Sequence, residues 1–94
     1  MRQPFAARLL QAHVREHDRY GGKPLWEAIV ALCREMQIAG ATVFHGVRPG
    51  PLPVVVTIVD TPEKIAALAP AIETMMDRGL LLIEDVQAVR LRRP

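Results

Sequence analysis

The stretch that decides the fold is GATVFHGVRPGPLPVVVTIVD, Gly40 to Asp60. Two runs rich in β-branched residues, Ala41–His45 and Pro53–Asp60, stand on either side of a short, basic, proline-containing connection. The second run, PVVVTIVD, is almost continuously apolar, which predicts a central strand with residues buried on both faces. Proline at position 53 fits only the first position of such a strand, because a proline further in would remove a ladder donor.

Working outward, each run is flanked by a helix-like segment. PLWEAIVALCREMQI, Pro24–Ile38, places Leu25, Ile29, Leu32, Cys33 and Met36 at helical spacing along one face. Pro24 suits the first helical position, and Gly40 supplies a stop beyond the end. On the other side, TPEKIAALAPAIETMMDRG, Thr61–Gly79, reads as a second helix. Thr61 can cap it, Pro62 opens the first turn and Gly79 closes it. Its stripe is Ile65, Leu68, Ala69, Ile72, Met75 and Met76, and the two methionines read as core filler. Pro70, inside the pattern, predicts a kink or break.

The outermost segments are strands. In ARLLQAHV, Ala7–Val14, the residues Leu10, Ala12 and Val14 alternate with Gln11 and His13, the period of a half-buried strand. REHDRYGGK follows as a charged, glycine-containing loop, and LLLIEDVQAVRL, Leu80–Leu91, is the last strand. The order β-α-β-β-α-β predicts an α+β, ferredoxin-like βαββαβ fold, a four-stranded antiparallel sheet with both helices on one face. One domain spans 1–94, with a core from about residue 8 to 91. Two helices cover only one sheet face, and the valines of Pro53–Asp60 also reach the other, which predicts self-association through the sheets.

Composition narrows the function. Aromatic residues number four, Phe5, Tyr20, Trp26 and Phe44, and read as buried, which argues against a base-stacking nucleic-acid surface. The net charge of +2 is small, but the first 23 residues carry five basic and two acidic side chains, and Arg90, Arg92 and Arg93 close the chain. Ten of the twelve basic residues are arginine, the side chain that binds carboxylate or phosphate in a planar fork. Solvated chain ends explain this pattern, and so does an anion site between adjacent strands. The single Cys33 excludes a disulfide within the chain and fits a reducing, cytoplasmic setting. No signal peptide is read at the N-terminus, and no apolar run is long enough to cross a membrane.

Candidate chemistry is sparse. His13, His17 and His45 could converge on a metal, but no ligand spacing supports it. His17 and Asp18 with Cys33 or Thr42 could be drawn as a catalytic set, but no nucleophile motif accompanies them and Cys33 sits on the buried face of its helix. GGKPLWE opens a helix with glycines and a lysine, a plausible anion cradle that lacks the spacing of a phosphate-binding P-loop.

Three separated blocks carry a family resemblance: Asp18-Arg19-Tyr20 with Gly22-Lys23-Pro24-Leu25; Gly40-Ala41-Thr42-Val43-Phe44 with Gly46; and Leu52-Pro53-Val54-Val55 with Val59-Asp60. With the closing GLLLIEDV they make the chain, from about Leu10 to Val89, resemble the family called domain of unknown function 190, a PII-like group of small ferredoxin-fold proteins. The resemblance implies a non-catalytic signalling protein, a homotrimer that binds an adenine nucleotide or another anionic effector in clefts between subunits. It implies no metal and no catalytic residue. It also implies a regulated partner, a membrane transporter or channel such as a fluoride exporter; the modest charge and the scarce aromatics argue against nucleic acid. On this reading the ligand-binding residues are Arg19, Lys23, Phe44, His45, Gly46 and Arg48. Relatives carry a long signalling loop between the second and third strands, and here that loop is shortened or missing between Gly46 and Pro53. The alternatives are a metal-responsive CutA-like trimer using the histidines and a trimeric structural remnant without a ligand.

Overall fold

The structure is a computed structural model and describes residues 1–47 and 52–93. Its elements are β1 (Arg2–Arg15), β2 (Arg19–Tyr20), β3 (Lys23–Pro24), α1 (Leu25–Glu35), β4 (Ala41–His45), β5 (Pro53–Asp60), α2 (Pro62–Met75) and β6 (Leu80–Leu91). The main sheet is antiparallel with strand order β4-β5-β1-β6, the ferredoxin-like order expected from the sequence. The run Pro53–Asp60 is indeed an inner strand, between β4 and β1.

Register divides the side chains into two sets, because residues directly opposite each other share a face. On the helix-covered face, Ala12 and Val56 pair, as do Leu10 with Ile58 and Val14 with Val54, and all six are buried. Leu25, Ile29 and Cys33 of α1 and Ile65, Leu68, Ala69 and Ile72 of α2 complete the core. Leu32, Met36, Met75 and Met76 pack against its margin, as expected of filler at the ends of the two stripes. Among the described residues no helix covers the opposite face. There Phe44, Val55, His13 and Leu80 form one row across the sheet, and Thr42, Thr57, Gln11 and Leu82 the next.

Several local expectations need correction. β1 starts at Arg2, not Ala7, because Arg2–Ala7 pair with Val86–Leu91 of β6 and extend past the end of β5 as a two-stranded ribbon. This ribbon makes the molecule 44 Å long. The segment after β1 is not a plain loop. Gly21 and Gly22 both have positive φ, +59° and +82°, so β2 and β3 close as a tight hairpin that only such residues turn easily. Pro24 is the residue before α1, with ψ 136°, and its carbonyl side is still extended. The left-handed residue that ends α1 is Gln37 at φ +57°, not Gly40, and its carbonyl accepts from Lys64 Nζ at 2.6 Å. Thr61 caps α2 as expected, its Oγ1 accepting from the Lys64 N–H at 3.3 Å. α2 runs to Met75 without breaking at Pro70, since packing of Leu68, Ala69 and Ile72 holds the helix on both sides of the lost bond. Among the described residues no helix is long and apolar enough to cross a membrane.

Asp60 is the buried charged residue of the core margin, 9% exposed. Its Oδ2 accepts from the Ala39 N–H at 2.9 Å and its Oδ1 from the Thr61 N–H at 2.7 Å. One carboxylate thereby ties the turn before β4 to the start of α2.

Candidate functional site

The C-terminal ends of β1 and β4 and the N-terminal ends of β5 and β6 all lie at one end of the sheet, as antiparallel pairing requires. Three parts of the chain therefore meet there: the turn and hairpin after β1, the described ends of the β4–β5 connection at Gly46 and Leu52, and the turn Asp77–Gly79 before β6. Loops gathered over a rigid sheet are where binding residues concentrate.

The centre of this end is Arg78. Cavities of about 190, 300 and 350 Å³ adjoin there, and Arg78 lines all three. Arg19, His17 and Asp18 line the first, and His13, Arg15, Asp18 and Gly79 the last. Asp18 is the fixed point. Its Oδ2 accepts from the Arg15 N–H at 2.9 Å, and its carbonyl accepts the Leu25 N–H, the first of α1, at 2.8 Å. Arg78 only approaches it, with Nε 4.0 Å from Asp18 Oδ1 and a side chain 73% exposed. A guanidinium so loosely held can turn to an incoming anion at little cost, since an exposed pair of this kind contributes at most about 1 kcal/mol.

Gly79 lets the turn close. Its φ is +114°, and a Cβ there would stand 2.5 Å from the His13 carbonyl oxygen. The described ends of the neighbouring connection are fastened by hydrogen bonds. Glu16 N–H donates to the Leu52 carbonyl at 3.1 Å, Leu52 N–H donates to Glu16 Oε1 at 3.3 Å, and Gly46 N–H donates to the Pro53 carbonyl at 2.7 Å.

The six residues expected to bind a ligand are not gathered in one cavity. Arg19 lies in the Arg78 cleft. Lys23 instead lines a separate groove between the helices. Phe44 and His45 are neighbours in β4 and so point to opposite faces: Phe44 is 57% exposed on the open face, while the His45 ring stands edge-on to Trp26 at 5.4 Å. The Gly46 N–H is already engaged with Pro53, and Arg48 lies outside the described residues. Two of the aromatics read as buried are in fact exposed, Phe44 and Tyr20, the latter at 47%.

Arg78 was not singled out by sequence reading. The available signal was its place in MDRG, between a helix stripe and a strand, where a loop arginine before glycine has no core role. The C-terminal arginines do not join it within one chain. Arg90 lies over the Phe5 ring at 4.9 Å on the ribbon, at the other end of the molecule.

The histidines do not converge. His13 Nε2 is 3.2 Å from Gln11 Oε1, His17 Nε2 is 3.5 Å from Glu16 Oε1, and His45 faces Trp26. Among the described residues no group of three His, Cys, Asp or Glu side chains is placed to hold a metal ion. Cys33 is buried in the core, and that burial pushes its thiol up to about 11, against a smaller lowering by a backbone hydrogen bond. A thiol so protonated is a poor nucleophile.

The family model described as DUF190, uncharacterised ACR, matches residues 7–50 and 48–88, two stretches that meet at the β4–β5 connection. A UPF0166 protein of Methanocaldococcus jannaschii is 30% identical over 95 positions, covering 84% of this chain and 88% of the relative. Because 95 positions exceed 84% of 94 residues, some positions of the relative fall opposite gaps here. Among solved structures, the apo form of CPII from Thiomonas intermedia K12, a nitrogen regulatory PII-like protein, superposes with a TM-score of 0.75 at 11% identity, covering 97% of this chain and all of that one. CPII bound to ADP, AMP and bicarbonate gives 0.67 at 12% identity, covering 92% and 98%.

Proposed function

Because the chain belongs to the DUF190 family and shares its fold with PII-like proteins, we propose that it is a PII-like regulatory protein that does no chemistry of its own and binds an adenine nucleotide or similar anionic effector. The observation that carries this reading is the convergence of three cavities on Arg78, with Arg15 and Arg19 beside it, at the loop end of the sheet. An anion there meets guanidinium forks suited to phosphate, and Asp18 sets the geometry from below. That CPII has been seen with ADP, AMP and bicarbonate supports the choice of ligand class.

The same reading assigns the open sheet face to contacts between copies. Phe44, Val55, Leu80 and Leu82 give it apolar area, and Gln11, Thr57 and His13 add a polar line through it. Such a surface is suited to a homotrimer in which each cleft is completed by a neighbouring subunit. The protein then works in the cytoplasm on a transporter or channel, a fluoride exporter being one such target. Its short β4–β5 connection, spanning Gly46 to Pro53, replaces a longer signalling loop and shifts recognition toward the rest of the loop end.

The test is thermal stability of the purified protein with ADP, AMP, ATP and bicarbonate, alongside its mass by light scattering. Ligand at a hundred times its Kd raises unfolding free energy by about 2.7 kcal/mol, an easily read shift in Tm. The shift is expected to shrink in Arg78→Ala and Arg19→Ala. No shift with any of these compounds, or one untouched by Arg78→Ala, overturns the ligand assignment. A monomeric mass overturns the assembly.

A further inference from the structure

Another cavity, of about 420 Å³, lies against the Tyr20–Lys23 side of the hairpin and shares only Met75 with the Arg78 cleft. Three elements wall it: the hairpin through Tyr20 and Lys23, α1 through Ala31 and Glu35, and α2 through Ala71 and Met75. Its size falls within the range of small-molecule sites, about 300–1,000 Å³. The hairpin is an addition to the βαββαβ plan and contributes little to the core: Arg19, Tyr20 and Lys23 are all exposed. Register sends Tyr20 and Lys23, paired across the hairpin, to the same side. The cavity thus has an aromatic ring and an ammonium group together at one end.

The other end differs in sign. Glu35 closes α1, ten residues and therefore roughly 15 Å along the helix from Leu25, which follows the hairpin. Among the described residues neither Lys23 nor Glu35 forms an ion pair. Alanine methyls line the span between them, leaving room that longer side chains would fill.

We infer that this groove is a binding site, distinct from the Arg78 cleft, for a small amphipathic monoanion. The apolar body lies over the alanines beside Tyr20, the negative group meets Lys23, and Glu35 repels any second negative group at the far end. One charge at one end gives a single bound orientation and excludes polyanions.

The probe is 2-naphthoate, titrated into the intact ¹⁵N-labelled protein. Saturable amide shifts are expected at Gly21, Gly22 and Ala71, with Gly79 unmoved. The uncharged 2-naphthamide and the Lys23→Ala variant should each weaken binding up to about fivefold, the worth of one exposed ion pair of about 1 kcal/mol. Naphthalene-2,6-dicarboxylate should bind poorly to the natural chain and better to Glu35→Gln. Ala31→Leu, whose spectrum reports whether it is folded, should abolish binding by filling the groove. Shifts confined to Phe44 and Leu82 would place the probe on the open sheet face and overturn the assignment. So would no saturable shift, or equal binding of naphthoate and naphthamide.

Discussion

The two faces of one sheet have taken opposite roles. On the helix-covered face, Leu10, Ala12, Val14, Val54, Val56 and Ile58 are buried, each at most 4% exposed. On the open face the intervening residues of the same strands, Gln11, His13, Val55 and Thr57, stay partly accessible and mix hydroxyl, amide and imidazole groups with valine. The difference is what each face must accomplish. The first has to exclude water, because it supplies the free energy of folding. The second must stay compatible with water until something covers it, so its apolar groups are interrupted by Gln11 and Thr57, which hydrogen-bond each other at 3.4 Å.

The largest effect that tests this contrast is truncation of the covered face. Leu68→Ala or Ile58→Ala should cost about 2–5 kcal/mol in denaturant unfolding, through lost transfer energy and a cavity that neighbours cannot close. A cost below about 1 kcal/mol for both would show that the face is not the core.

Alkaline pH offers a second probe of the same face. The unfolded thiol of Cys33 ionises near 9.0, while the folded one stays protonated until about 11. The pKa is raised on folding, so this contribution is whole below pH 9 and is lost as pH climbs from 9 to 11. It amounts to at most about 2–3 kcal/mol. Stability should fall across that window, and Cys33→Ala should flatten the slope. An unchanged slope would locate the alkaline sensitivity elsewhere.

At the margin of the core, Asp60→Ala leaves the Ala39 and Thr61 N–H groups without their acceptor and should cost about 1–3 kcal/mol. Thr61→Ala removes one cap bond and should cost about 1 kcal/mol. On the open face, Leu82→Glu should change monomer stability by no more than about 0.5 kcal/mol, as surface substitutions do. It should nonetheless dissociate the proposed assembly in light scattering. A stable oligomer in Leu82→Glu would move the interface off this face.

How much of this was readable beforehand follows from where the signal lay. β4, β5 and β6 have the boundaries their residue patterns give, because β-branched runs bounded by glycine, proline or helix caps leave little ambiguity. α1 and α2 are shorter than their periodicity because the pattern continues past the last hydrogen-bonded turn: Met36 and Met76 still pack on the core from outside the helix. The hairpin was legible only as glycine-containing loop, since its pairing involves two residues on each side. The candidate site was less legible. Lys23 and Arg19, four positions apart, look like one basic cluster in the chain, yet the hairpin sends them into different cavities. Phe44 and His45 are adjacent and face opposite ways.

The amino-acid sequence by itself determined the element order, the inner position of Pro53–Asp60, the two apolar helix stripes and the absence of any cysteine pair. These depend on the period and type of neighbouring residues, which local sterics and burial translate directly into helix or strand. Only the tertiary structure decided that Arg78 stands over Asp18, sixty residues earlier in the chain, and that Arg2–Ala7 find their partners in Val86–Leu91. It alone placed Lys23 and Arg78 in cavities that share no residue but Met75. The physical reason is that such encounters depend on sheet register and on the path of turns, and neither leaves a periodic trace near the residues that finally meet.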